Sequence, residues 1–482
     1  MAELYPGYQL FPCLTILVGV LGWVGGTGLR RVSVLSPYSF GLLILVSVFG
    51  VRPLLMARDD SSFEFYGYRI TASEFEYATF LGFLAVVGLT MGFIAGRFFG
   101  RTQMDRSQLN GSCPPDSFRP GSVAKSIEVD PGRSFAAAWL LILGWFAVMV
   151  FVGGGLGFVS QLFGGRSPEV TAKLSNVPAI VFALPVVAAL VIAVTRFRHE
   201  RSTRYSRAQL LHYWLLAAVT VIPPSALGTR RFLIPSVVIA VLGSLSGKLQ
   251  LRVPLSWGVL GIGSFLVLTI FPFVRSAGSR SPDQAGLVGA MQSYFVDEGV
   301  SGSLENYFVS FDTEMFNYVA FLSSRLGRDI PYGLGQGTFG EIIAMPIPAA
   351  LSPLDIWNDV MLTSAFGSGC SIETACPVPS VVGVLFSDFW IPGVLVGIVA
   401  IGYLASKFDR SLEISRYPEA TAALLLAAGF AVVFFRGNSM AQFWYGFQIF
   451  VVWFLVTRAL AGLNAGSTSE RFSLLHRGKV PL

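Results

Sequence analysis

Arginines stand where a largely apolar chain has little use for them. Gly228-Thr229-Arg230-Arg231 follows Pro223-Pro224 and opens an apolar run; Arg275 and Arg280 follow another run, and Arg436 lies between two more. A guanidinium grips phosphate oxygens through two parallel hydrogen bonds, so these five cations at helix mouths would make a diphosphate site. The plainer use is as lipid anchors, because an arginine at a helix end also snorkels to headgroups. Taken as a set, with Arg230 and Arg231 adjacent after a glycine turn, they favour the anion site.

Candidate general bases are Asp312, Glu314 and Asp388. The first two belong to Asn306–Leu326, where Phe308, Phe311, Met315, Tyr318, Val319 and Leu322 recur at spacings of three and four and predict an amphipathic helix. For those two carboxylates a solvated helix face is the favoured reading over catalysis. Asp388, in Ser387-Asp388-Phe389-Trp390, enters an apolar run, where a carboxylate is costly and needs a partner. An arginine pairing at the membrane interface is its alternative to catalysis.

Other chemistries lack their residues. The histidines, His199, His212 and His476, all fall in segments assigned below to the cytoplasmic side, so no imidazole serves the other face as base or metal ligand. No metal site and no cofactor are expected. The glycine-rich stretch 333–340 lacks the lysine of a phosphate-binding loop, and no ATPase signature stands elsewhere.

The elements that must position these residues are membrane helices. Only 13% of the 482 residues are charged and 53% are hydrophobic, against roughly a quarter charged in soluble domains. Apolar runs at Tyr8–Gly28, Phe40–Met56, Tyr77–Phe99, Phe135–Gly155, Val177–Thr195, Leu210–Leu227, Phe232–Leu245, Leu255–Val274, Val381–Ala405, Ala420–Phe435 and Phe443–Leu463 are mostly long enough to cross a bilayer. The fold class expected is therefore all-α, a polytopic bundle of about eleven transmembrane helices. A cleaved leader is not expected, since no basic segment precedes the first run.

Lys and Arg concentrate in the loops Arg97–Arg133 and Arg196–Arg207. By the positive-inside rule this places the N-terminus outside and the C-terminus in the cytoplasm. Three regions follow: helices over 1–275 with a Pro/Gly-rich cytoplasmic linker at 100–134, an extracytoplasmic loop over 276–379, and helices with a tail over 380–482. The net charge of +6 is a topology signal on this reading, and nucleic acid is not an expected partner. Cys370 and Cys376 share the large loop, where a bridge would be chemically permitted. An acidic, aromatic loop is expected at Asp59–Glu76.

Several segments resemble the O-antigen and oligosaccharide repeat-unit polymerases of the Wzy type. Gly228-Thr229-Arg230-Arg231 is similar to that family's arginine after a glycine at a helix start. Gly335-x-Gly337-Thr338-Phe339, ahead of Ile347-Pro348, resembles its loop pattern, and Pro379-Ser380-x-x-Gly383, Asp388-Phe389-Trp390, Pro392-Gly393 and Gly397 resemble the helix after its large loop. The chain departs from the pattern at Ala349 and at Pro353-Leu354-Asp355.

The resemblance implies a GT-C-like architecture in a bacterial cytoplasmic membrane. It also implies a metal-independent glycosyltransferase that joins polyprenyl-diphosphate-linked oligosaccharides on the outer face. Membrane lipids, a flippase and a chain-length regulator would be its partners. Two rivals share parts of the pattern. A glycan ligase of this kind places a histidine in the loop, and 276–379 has none. A flippase or transporter would line a path through the membrane with charge, whereas the runs here are nearly charge-free.

Overall fold

The computed structural model describes residues 9–28, 36–56, 63–65, 67–109, 130–153, 155, 177–199, 205–226, 230–244, 314–344, 360–361, 363–364, 378–415, 417–437 and 439–477. Helices dominate them: α1 (Leu10–Gly28), α2 (Pro37–Val46), α3 (Arg52–Met56), α4 (Ala72–Leu109), α5 (Pro131–Gly153), α6 (Ala179–Phe182) and α7 (Leu184–His199). They continue as α8 (Arg207–Ala226), α9 (Arg230–Ser244), α10 (Met315–Arg325), α11 (Glu341–Ala344), α12 (Ser380–Ile414), α13 (Pro418–Arg436) and α14 (Ser439–Arg477). A π-turn over Ser47–Val51 joins α2 to α3, and a second, Gln336–Gly340, leads into α11.

Among the described residues, six helices are long and apolar enough to cross a membrane: Pro37–Met56, Ala72–Phe99, Pro131–Gly153, Ser380–Phe408, Pro418–Arg436 and Gln442–Ala461. The chain is thus a helical membrane protein. Leu10–Gly25 and Phe232–Ser244 are shorter apolar helices, and the run expected at Val177–Thr195 is divided between α6 and α7. The run Leu255–Val274, Cys370 and Cys376, and most of the loop 276–379 lie outside the described residues.

Local chemistry sets where α4 begins. Thr71 and Glu74 form a reciprocal cap: the Thr71 N–H donates to Glu74 Oε2 at 2.7 Å, and the Glu74 N–H donates to Thr71 Oγ1 at 3.4 Å. The segment before it, expected as a loop, contains a short antiparallel hairpin pairing Glu64 with Arg69 and Phe65 with Tyr68.

Small residues then let helices close up. A methyl group added at Gly92 would stand 2.0 Å from the Val399 carbonyl oxygen, and one at Gly402 would stand 2.3 Å from that of Leu89. Glycines on both sides of the α4–α12 seam therefore bring backbone against backbone, as membrane helices do when apolar attraction between them is weak. Around this pair, Leu45, Phe49, Phe75, Leu81, Val86, Phe316, Val382 and Ile398 form one buried core. A second core joins α7, α9, α13 and α14 through Leu190, Phe197, Ile239, Leu425 and Trp453.

The expectation of one uninterrupted crossing over Val381–Ala405 needs correction. Trp390 has φ 58° and ψ −152°, which breaks α12 into two arms. In a straight helix residues 385 and 397 would be about 18 Å apart. A methyl added at Gly397 would instead stand 2.7 Å from the Leu385 side chain, and one at Gly393 would stand 2.6 Å from the Leu385 carbonyl oxygen. The arm Ser380–Phe389 therefore folds back on the arm that begins at Ile391, and the glycine pair provides the room.

Candidate functional site

Two buried polar clusters gather near the start of α4. The first centres on Arg52, whose Nε and Nη2 donate to Asn317 Oδ1 at 3.4 and 3.2 Å. Both residues are enclosed, at 2% and 1% exposure. Glu314, one turn before Asn317 on the same helix face, lies near enough for its charge to act on Arg52. A buried guanidinium is tolerated only when it is neutralised and hydrogen-bonded, and here α10 supplies both. Phe316 locks α10 in place by meeting Phe75 edge-on at 5.2 Å and Phe49 at 6.1 Å.

The second cluster occupies the tip of the folded-back arm. Asp388, 1% exposed, accepts the Gly337 N–H on Oδ1 at 3.0 Å and the Thr338 N–H on Oδ2 at 2.7 Å. Beside it the Gly333 N–H donates to the Ser387 carbonyl at 3.0 Å. The carboxylate thus satisfies backbone donors at the start of a helical turn that would otherwise be left unmade. Gly335, at φ 94°, lets the chain enter that turn. Phe339 and Phe389 pack with ring centroids 6.4 Å apart. Tyr77 of α4 supports the tip through Phe386 at 5.9 Å and through the Trp390 indole.

A third network ties α10 to the small hairpin. Buried Glu74 accepts the Tyr68 hydroxyl at 2.5 Å and also the Ser324 hydroxyl. Arg325, ion-paired with Asp329, stacks over Tyr68 at 5.1 Å. Burial first, and the Glu74 hydrogen bond second, push the Tyr68 phenol above its ordinary range. It therefore remains a proton donor to that carboxylate.

The residues singled out from sequence divide as follows. Glu314 and Asp388 both lie near the start of α4, each against different partners. Arg230 opens α9 and Arg231 follows it. Arg436 ends α13, one residue after Phe435, whose ring stands 2.5 Å from where a methyl on Gly41 would lie. Arg275, Arg280 and Asp312 lie outside the described residues.

Sequence reading missed Arg52, Asn317 and Glu74. The Thr71-x-x-Glu74 capping signature was there to find. An arginine near the end of an apolar run was also a signal, although its partner is 265 positions away. Among the described residues, no three His, Cys, Asp or Glu side chains converge to hold a metal ion.

The fold and these clusters define a helical membrane protein with a broken helix whose acidic tip holds a glycine-rich turn. No family model, curated protein or solved structure matches the chain.

Proposed function

We propose that the chain is a membrane glycosyltransferase that polymerises oligosaccharide repeat units carried on polyprenyl diphosphate, on the outer face of a bacterial cytoplasmic membrane. One observation carries the reading. Two segments that resemble motifs of the repeat-unit polymerases, Gly335-x-Gly337-Thr338-Phe339 and Asp388-Phe389-Trp390, are bonded to each other through Asp388. Motifs far apart in sequence form one unit, as parts of one site would.

In the reaction, the bond between the anomeric carbon of the growing chain and its lipid diphosphate breaks. A hydroxyl of the incoming unit forms the new glycosidic bond and gives its proton to a carboxylate. Arg230, Arg231, Arg275 and Arg280 supply positive charge for the departing diphosphate, and Arg436 completes the set. The accepting carboxylate is one of Asp312, Glu314 and Asp388; Asp388 has both oxygens engaged by backbone N–H groups, and Glu314 faces the Arg52 cation.

The test is the glycan profile of a deletion strain. A polymerase leaves a single lipid-linked repeat on the outer face where a ladder stood. A flippase leaves the same intermediate on the cytoplasmic side, and a ligase leaves full-length polymer on its lipid; either outcome refutes the proposal.

A further inference from the structure

We propose that residues 333–344 form a strap that opens separately from the helical bundle, with Asp388 as its latch. The inference goes beyond the polymerase reading and does not depend on what the protein transfers.

What holds the strap is unusual in kind. Its buried positions over 333–340 are Gly333, Gly335, Gly337 and Thr338, none of which carries a large apolar side chain. Its large side chains face outward instead: Leu334 is 81% exposed, Phe339 65% and Ile343 63%. Little buried apolar area secures the segment, and hydrogen bonds take its place. Asp388 accepts two of them, and Ser387 accepts a third from Gly333. The far end is held by α14, where Trp444 Nε1 donates to the Ile342 carbonyl at 2.5 Å.

A segment with few apolar contacts opens at lower free energy than the core around it. The near end of this one already has hinge geometry, with Leu334 at φ 48° next to Gly335 at φ 94°. The latch is stronger than the rest because a carboxylate acceptor makes charge-assisted bonds. One residue on the rigid hairpin tip therefore controls the state of the strap. The hairpin does not open with it, because Gly393 and Gly397 pack its two arms backbone to side chain.

The experiment uses the full chain in lipid nanodiscs, with Cys13, Cys113, Cys370 and Cys376 replaced by serine. A single cysteine is placed by Thr338→Cys, at a position 4% exposed, and its labelling by a small water-soluble maleimide is timed. Asp388→Asn, which turns an amide N–H toward a backbone N–H, should speed labelling by about tenfold. A parallel single cysteine from Ala85→Cys, buried in α4, should stay unlabelled in both backgrounds. An unchanged rate at position 338 would overturn the latch. Labelling at position 85 in the Asp388→Asn protein would overturn it too, since Asp388 would then hold the whole bundle. Wild-type hydrogen exchange gives a second measurement: peptide 333–340 should exchange well before peptide 75–95, and simultaneous exchange would refute separate opening. Neither measurement reads glycan transfer, so the strap and the polymerase reading can fail independently.

Discussion

Arg52 and Asn317, 265 residues apart, meet through two hydrogen bonds in a site closed to solvent. This contact joins α3 to α10 and gives the buried cation its neutral partner, while Glu314 supplies the charge. Arg52→Ala removes the buried cation that Asn317 and Glu314 face and should destabilise the protein by about 3 kcal/mol. Asn317→Asp keeps an acceptor and adds a charge for Arg52, so it should cost less than Asn317→Leu, which has none. Thermal unfolding followed by size-exclusion in detergent orders the three variants. Equal midpoints for Asn317→Asp and Asn317→Leu would show that the contact does not secure the fold.

The glycine seam makes a prediction with an internal control. Gly92→Ala drives a methyl into the Val399 carbonyl and should cost about 1–3 kcal/mol by forcing α4 and α12 apart. Gly144→Ala meets nothing within 4 Å and should be neutral or stabilising by about 0.5–1 kcal/mol, because alanine is the better helix former. Similar melting temperatures for both variants would contradict close packing at the seam.

Trp390 holds a backbone conformation that L residues avoid. Trp390→Gly should therefore be more stable than Trp390→Ala by about 1 kcal/mol, reversing the order expected inside a straight helix. If alanine proves the more stable, α12 is continuous and does not fold back.

The arginines test the proposed chemistry. Arg231→Ala and Arg275→Ala should each abolish polymer while leaving protein level and membrane insertion unchanged. Lysine at either position should restore little, because it offers a point charge without the planar fork. Normal chain length in both alanine variants would return these residues to the role of lipid anchors.

How much of this was legible beforehand depended on distance along the chain. Apolar length identified Pro37–Met56, Pro131–Gly153 and Pro418–Arg436 closely, because a span is a local property. The amphipathic spacing predicted a helix over Asn306–Leu326, and its described part is one over Met315–Arg325, with Met315, Tyr318, Val319 and Leu322 buried in the core that α4 and α12 share. Asp388 was correctly read as needing a partner, but the partner was a pair of backbone N–H groups and not an arginine. Hydropathy could not reveal the reversal at Trp390, since two short apolar arms and one long helix have the same periodicity. Pro392-Gly393 and Gly397 carried the only local trace of it.

The most direct test of the central claim is polymerisation by the purified protein supplied with lipid-linked repeat units alone, with and without excess EDTA. The account predicts a ladder of products in both cases, at nearly the same rate, since arginines and not a divalent ion carry the diphosphate charge. Repeat units that remain single in both conditions would contradict the polymerase reading. A ladder that EDTA stops and magnesium or manganese restores would contradict the arginine site and reassign Asp312, Glu314 and Asp388 as metal ligands.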